Sequence, residues 1–296
     1  MIIDFHTHVF PDQVAAGALK KLSAFSHTRP FTDGTQAGLL ASMEEAEIDI
    51  SVILPVATSP GQVPRINDGA IGLSRVQWSV QEIPDTGHAA KREKRLLSFG
   101  AMHPFYEDWE AELERIAQAG LRGIKIHPPY QGACLDDDRY IRIVRKAESL
   151  GLITVTHAGW DIGLPDQQWC SPDMACRLLE QTKAQHLVLA HMGGWRMWKE
   201  VCEKLADTPA FLDTSFSTGM LVPLKDGYYQ EEDLPLMGKE DFLHMVEVFS
   251  PKRLLFGTDS PWSGQKESIE WMRGLPMEEE ASDAILGKNA KRLLRL

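Results

Sequence analysis

Between Gly123 and His191 the chain reads Gly123-Ile-Lys-Ile-His127-Pro, then Leu152-Ile-Thr-Val-Thr-His157, then His186-Leu-Val-Leu-Ala-His191. Each run is short and apolar, has the length of a strand, and ends in a histidine. Asp138–Leu150 lies between the first two, has a helical pattern and is closed by Gly151. Ser171-Pro172-Asp173 opens a second helix, with serine as cap and proline at the first helical position. Strand, helix, strand, repeated, is the pattern of a parallel sheet with crossover helices.

The alternation extends to both ends. Upstream, the spacing predicts strands at Ile2–His6, Ile50–Pro55 and Leu96–Ala101, and helices at Ala37–Glu47, Asn67–Gln81 and Trp109–Ala119. Downstream it predicts strands at Ala210–Asp213 and Arg253–Asp259 and a closing helix at Asp283–Leu294. Eight strands with intervening helices point to one (β/α)8 barrel over residues 1–296. An open doubly wound sheet is the alternative, but no glycine-rich turn follows a strand, so dinucleotide binding has no support. Three stretches lack a pattern: Thr58–Arg65, Glu82–Arg95 and Thr214–Lys239. The last, with Tyr228, Tyr229 and the acids Glu231–Asp233, reads as a lid or an interface.

Polar residues collect at the strand ends. The first strand runs Ile3-Asp-Phe-His6-Thr-His8, where strand alternation puts Asp4, His6 and His8 on one face. Lys125 and His127 share a face of the fourth strand, and His157, His191, Asp213 and Asp259 end later ones. Barrel enzymes place their chemistry on that rim. Core packing does not explain so many independent strands ending in a histidine or an acid. Together His6, His8, His157 and Asp259 can supply a complete metal shell. Asp4 lies deeper and is read as orienting a ligand. His103 can be a ligand or a satisfied polar group, while His27, His88, His186 and His244 are read as ordinary.

These motifs resemble the amidohydrolase superfamily, and within it the branch of metal-dependent hydrolases and aminocarboxymuconate-semialdehyde- and resorcylate-type decarboxylases. The resemblance rests on the strand-end motifs, on Thr156-His157-Ala-Gly159, Leu189-Ala-His191-Met-Gly-Gly194, Phe211-Leu-Asp-Thr-Ser215 and Phe256-Gly-Thr-Asp259-Ser-Pro, and on the last helix. Phosphoesterases that open with His-x-His lack support, since no Thr-Asp-His motif follows. TatD-like nucleases carry a glutamate on the fourth strand, where this chain has Lys125.

The resemblance implies that His6, His8, His157 and Asp259 bind one divalent metal, zinc first and manganese next. It makes His191 a catalytic or substrate-polarising histidine. Lys125 has three readings: a carboxylated bridge to a second metal, a partner of Asp4 or Asp213, or a cation for an acidic substrate. A metal with an open position brings bound water toward a pKa of ~7. The expected reaction is therefore hydrolysis of a small amide, lactone or other carbonyl compound by metal-bound hydroxide, with Asp259 handling the proton. The same shell serves a non-oxidative decarboxylase of a small, aromatic acid. Tyr130, Trp160, Trp195 and Trp262, with Lys125, His127, Arg65 or Arg196, are the candidate substrate contacts; the aromatics serve equally as apolar plugs. A metal-stabilised, non-catalytic binding protein is the reading from another class.

A net charge of -11 over 296 residues argues against a nucleic-acid partner, and Lys91–Arg95 is too short and mixed to be a basic patch. No apolar run has the ~18 residues of a membrane span. Cys134, Cys170, Cys176 and Cys202 form no Cys-x-x-Cys pair and are expected to be reduced thiols. The first residues lack a signal-peptide layout, so the expected location is the cytoplasm. The resemblance adds a homodimer.

Overall fold

In the computed structural model, which describes residues 1–78 and 95–296, every expected strand is present, with shifted ends. They are β1 (Ile3–Thr7), β2 (Ile50–Ile53), β3 (Arg95–Ser98), β4 (Gly100–Ala101), β5 (Gly123–Ile126), β6 (Ile153–Thr156), β7 (Leu187–Leu189), β8 (Phe211–Asp213) and β9 (Leu254–Leu255). The third expected strand is split at Phe99 into β3 and β4. All neighbours pair in parallel, as β1-β2-β3 and as β4 through β9 in chain order.

Backbone hydrogen bonds connect the two groups. The Phe99 N–H donates to Ile53 O, and the Met102 N–H to Lys125 O. At the other edge the Phe5 N–H donates to Phe256 O, the Asp259 N–H to His6 O and the His8 N–H to Ser260 O. The strand ends meant for the site therefore lie at one end of the sheet.

The core has two main parts. Phe5, Val52, Phe99, Val155, Val188 and Leu255 pack together from different strands. A larger cluster joins Ile124, Ile126, Leu187 and Leu212 to the helices. Helix Asp138–Ser149 shows why: Tyr140, Ile141, Val144 and Ala147 recur at helical spacing and are buried. Burial of Ile141 and Val144 contributes ~1.5–3 kcal/mol each. Ser171 caps helix Pro172–Thr182 by accepting from the Met174 N–H, as its sequence indicates.

A third, smaller cluster covers the site end of the sheet. Trp195, Phe216, Leu221 and Leu236 are buried in it, and Trp160, Tyr229 and Trp262 pack against them. Three of its four buried members come from the patternless loop after β8. That loop folds back on itself through bridges Thr218–Met237 and Met220–Pro235 and is tied by Thr28–Pro223 to the segment just after the first helix.

Several elements depart from the sequence reading. Helices Asp12–Ser26, Trp198–Leu205, Lys239–Phe249 and Gln265–Arg273 were not anticipated. The closing helix is a composite of Glu279–Asp283, a π-helical turn at Ala284–Lys288, and Asn289–Leu294. A Cβ on Gly287 would run into Met1 O, so the widened turn lies where the two chain ends meet. The expected helix Asn67–Gln81 is present as Val63–Trp78, which begins four residues earlier, inside Thr58–Arg65; the end of that expected helix, most of Glu82–Arg95, and His88 lie outside the described residues. No described helix is long and apolar enough to cross a membrane. The four cysteines are free.

Candidate metal centre

The residues of β1 do not alternate simply. Its register with β2 shifts between Asp4 and Thr7, a bulge-like irregularity that separates Asp4 from the histidines. The Asp4 carboxylate accepts from the Thr258 N–H, Thr258 Oγ1 and Gln265 Nε2 at 3.0, 2.6 and 2.7 Å, and from the His6 N–H at 3.2 Å. Burial pushes its pKa to about 7, against the pull of those donors. Asp4 thus secures the junction of β1 with the Phe256–Ser260 segment and holds the backbone of His6.

His6, His8 and Asp259 converge. His8 Nε2 is 2.9 Å from Asp259 Oδ1, His6 Nε2 is 3.4 Å from the same oxygen, and the two Nε2 atoms are 3.2 Å apart. On its other side His6 Nδ1 is 2.9 Å from Asp213 Oδ2, which can only accept, so Nδ1 carries the proton and Nε2 presents a bare lone pair. Burial first, and then the charge of Lys125, holds His6 down at about 4. A bare nitrogen facing a carboxylate oxygen with no proton between them is a donor set that fits a cation. Two imidazoles and a carboxylate suit a borderline divalent metal. Asp213 is the carboxylate that fixes the His6 tautomer. Burial raises its pKa, but His6 holds it well below the usual range.

Asp259 and His191 adopt unusual backbone conformations. Asp259 (φ 65°), His191 (φ 59°) and Met192 (φ 55°) are left-handed, at ~1–3 kcal/mol each. Gly257 precedes Asp259 because a Cβ there would lie 2.9 Å from His6 Cβ. His191 Nδ1 is 2.9 Å from Ser215 O, and its backbone N–H donates to Asp213 Oδ1 at 3.1 Å. Ser215 Oγ donates a short hydrogen bond to Asp213 Oδ1.

Lys125 is 1% exposed, and its Nζ lies 3.4 Å from His6 Nε2. Burial brings its pKa down to about 8, with Asp213 and Asp259 opposing. No ion pair joins it to a carboxylate among the described residues.

His157 gathers with His127 and Asp161, all buried. Asp161 Oδ2 is 3.8 Å from both His127 Nε2 and His157 Nε2. The His127 ring stacks on Tyr130 at 4.1 Å and on His157 at 4.5 Å. Burial lowers both histidines well below their ordinary value and raises Asp161 to about 6. His157 Nδ1 lies 3.0 Å from His191 Nε2, which links the two groups. Sequence reasoning missed Asp161. Its signal was its place four residues after His157, on the loop leaving a strand end.

The remaining candidates divide. Trp160 and Trp262 are partly buried and pack in the aromatic cluster beside the site. Trp195 is 8% exposed and donates Nε1–H to Phe216 O, so it serves packing. Arg196 donates to Pro235 O and Asp233 O, holding the loop, and Arg65 is exposed. His103 Nδ1 accepts from the Phe105 N–H, a satisfied local bond. His186 pairs with Glu148 and His27 with Asp226, both away from these groups.

A model of the amidohydrolase family matches residues 3–296. No curated protein matches the chain. Among solved structures, an uncharacterised TIM-barrel protein of Bordetella bronchiseptica superposes with a TM-score of 0.73 at 19% identity, covering 99% of this chain and 98% of that one. 5-Carboxyvanillate decarboxylase of Sphingomonas paucimobilis gives 0.61 at 18% identity, covering 100% and 99%. A dihydroxybenzoic acid decarboxylase of a Polaromonas species, holding manganese and the inhibitor 2-nitroresorcinol, gives 0.68 at 15% identity, covering 100% and 97%. At these identities the likeness is one of fold, here an α/β fold of parallel strands.

Proposed function

The chain belongs to the amidohydrolase family, and from that premise we propose that it is a metal-dependent, non-oxidative decarboxylase of a small aromatic acid. One observation carries the reading: the buried Lys125 ammonium beside His6 has no carboxylate partner among the described residues. A buried cation that no carboxylate neutralises can take an anionic substrate. Trp160 and Trp262 offer flat apolar surface nearby. The decarboxylases of similar fold, one with manganese, support the same direction.

His6, His8 and Asp259 would hold the ion, which when bound supplies positive charge to orient the substrate's carboxylate and a neighbouring oxygen. Lys125 draws the carboxylate into the site. The aromatic cluster keeps water from the ring. Loss of carbon dioxide needs one proton delivered to the ring carbon, and Asp259 and His191 are the groups placed to hold and move it. Asp213 and Ser215 keep His6 and His191 in position through the bonds described above.

Manganese- and zinc-loaded protein incubated with hydroxybenzoates and carboxyvanillates tests the reading. Release of carbon dioxide, with one solvent deuterium in the product ring, is expected. Turnover of lactones or amides with none of these acids would replace it with the second reading, hydrolysis. That reading is favoured by Asp259 Oδ1, a carboxylate oxygen at the histidine pair that can accept a proton from water.

A further inference from the structure

The groups of the metal centre are almost fully covered. Lys125 is 1% exposed and His191 5%, so a substrate reaches them only when part of their cover moves. The loop after β8 supplies Phe216, Leu221 and Leu236 to the aromatic cluster at this end of the sheet, with Trp160, Trp195 and Trp262. Its two arms are paired. The Leu221 N–H donates to Leu234 O at 2.8 Å, the Leu236 N–H to Gly219 O at 3.1 Å and the Met237 N–H to Ser217 O at 2.9 Å. Residues 219–237 thus form one flap with an apolar inner face.

The tip of the flap is pinned from outside. It pairs with the segment after the first helix: the Arg29 N–H donates to Val222 O at 2.8 Å and the Leu224 N–H to His27 O at 2.9 Å, which sets Thr28 opposite Pro223. His27 Nδ1 donates to Asp226 Oδ2 at 2.7 Å, and its ring stacks on Tyr228 with 3.8 Å between centroids. The Tyr229 hydroxyl donates to Ser26 O at 2.7 Å. This clasp faces water: the His27 and Asp226 side chains are 30% and 38% exposed, and Tyr228 is 52% exposed. Exposed pairs are weak, and contacts open to water release first. Elsewhere the flap is tied by Arg196, which donates to Asp233 O and Pro235 O. Gly219 (φ 83°) has open space where a Cβ would stand and gives the flap a pivot at its base.

We propose that residues 219–237 are a lid that swings from its base at Gly219, is held shut by the clasp of His27 with Asp226 and Tyr228, and admits substrate to the metal centre when that clasp releases. Among the described residues no hydrogen bond joins His27, Asp226 or Tyr228 to that centre, so the clasp governs access alone. The lid serves any small substrate of the site; only the identity of that substrate rests on the decarboxylase reading above.

Two variants of the full chain test it, and neither replaces a residue of the centre. His27→Ala removes the hydrogen bond and the stack. Amide hydrogen exchange read by mass spectrometry should quicken ~2–5-fold in peptides spanning 219–237 and stay unchanged in helix Asp138–Ser149, since an exposed pair of this kind is weak. Thr28→Cys combined with Pro223→Cys gives the opposite state. The two positions face each other as a non-hydrogen-bonded antiparallel pair, for which ~4.5 Å between Cα atoms is usual and within reach of a disulfide. Oxidation locks the tip, and reduction frees it. Diethyl pyrocarbonate, followed by peptide mass, reports how readily a small molecule reaches His191. Labelling should be ~10-fold slower in the oxidised than in the reduced double variant, and faster in His27→Ala than in wild type. Equal labelling of the oxidised and reduced forms overturns the lid, as does unchanged exchange in His27→Ala. If the double variant does not fold by circular dichroism, exchange and labelling of His27→Ala decide. Turnover of hydroxybenzoates that is lost on oxidation and restored on reduction supports the lid and the decarboxylase reading together; turnover that ignores oxidation overturns the lid. Labelling gated by oxidation, with no acid turned over in any form, sustains the lid and defeats that reading.

Discussion

At the scale of single residues the site depends on which nitrogen or oxygen lacks a proton. Asp213 takes the Nδ1–H of His6 and so exposes Nε2 to Asp259 and His8. Asp259→Asn turns an acceptor into a group that also donates, and removes the negative charge of the cluster. It should cut kcat by at least ~100-fold with the fold intact, measured by carbon dioxide release alongside circular dichroism. Normal turnover in this variant would remove Asp259 from the chemistry. Lys125→Met keeps the length and the burial but removes the cation. If Lys125 receives the substrate carboxylate, KM for the acid should rise ~10-fold or more, since a charge-assisted contact is worth ~1.5–3 kcal/mol. An unchanged KM would return Lys125 to a purely structural place. Motif spacing alone exposed His6, His8, His157, His191, Lys125 and Asp259. It could not show that His157 turns toward His127, because that depends on rotamers set by neighbours across the rim.

At the scale of elements, the irregular points of the strands place these atoms. The register shift in β1 sends the Asp4 carboxylate to Thr258 and Gln265 and leaves His6 for Asp213. Strict alternation puts Asp4 and His6 on one face, so a bulge was the one feature that period-two reading had to miss. Asp4→Asn replaces an acceptor oxygen with an NH₂ group facing donors. It should destabilise the protein by ~1–3 kcal/mol, read from a urea melt, because buried N–H groups lose their acceptor. A melt matching wild type would show that water takes over those bonds. The loop after β6 is as tightly built. Gly159→Ala introduces a Cβ against Trp195 N at a left-handed position, and should lower stability by ~2 kcal/mol or more while displacing Trp160 and Asp161. Several helices were unread for a different reason. Helix Asp12–Ser26 has no side-chain cap and few buried side chains, so its pattern is weak.

At the scale of the molecule, the hydrogen bonds between β1 and the Phe256–Ser260 segment bring His6 and His8 together with Asp259 from the far end of the chain. A bound ion therefore links the first and last strand segments and should stabilise the whole fold. At an ion concentration 100 times Kd the gain is ~2.7 kcal/mol. Chelation is expected to lower the melting temperature of the wild type by several degrees and that of His6→Ala by much less. Equal shifts would mean that the chelator acts elsewhere. The loop after β8 covers the site end and is tied by Thr28–Pro223 to the segment just after the first helix. Its patternless sequence left lid and interface equally open, since its contacts are with residues distant in the chain.

The sequence by itself determined the alternation of strands and helices, the strand ends at which the histidines and acids stand, and the family. These follow from local patterns: apolar runs of strand length, helical spacing, caps, and motifs in a set order. Only the tertiary structure decided which of those residues meet. It set His6, His8 and Asp259 in one group and His127, His157 and Asp161 in another, left Lys125 without a carboxylate partner among the described residues, and made Trp195 a packing residue. The reason is physical. A strand's pattern records which face is buried, whereas bulges, left-handed turns and cross-barrel hydrogen bonds fix the last few ångströms of each side chain, and those are properties of the closed set of contacts.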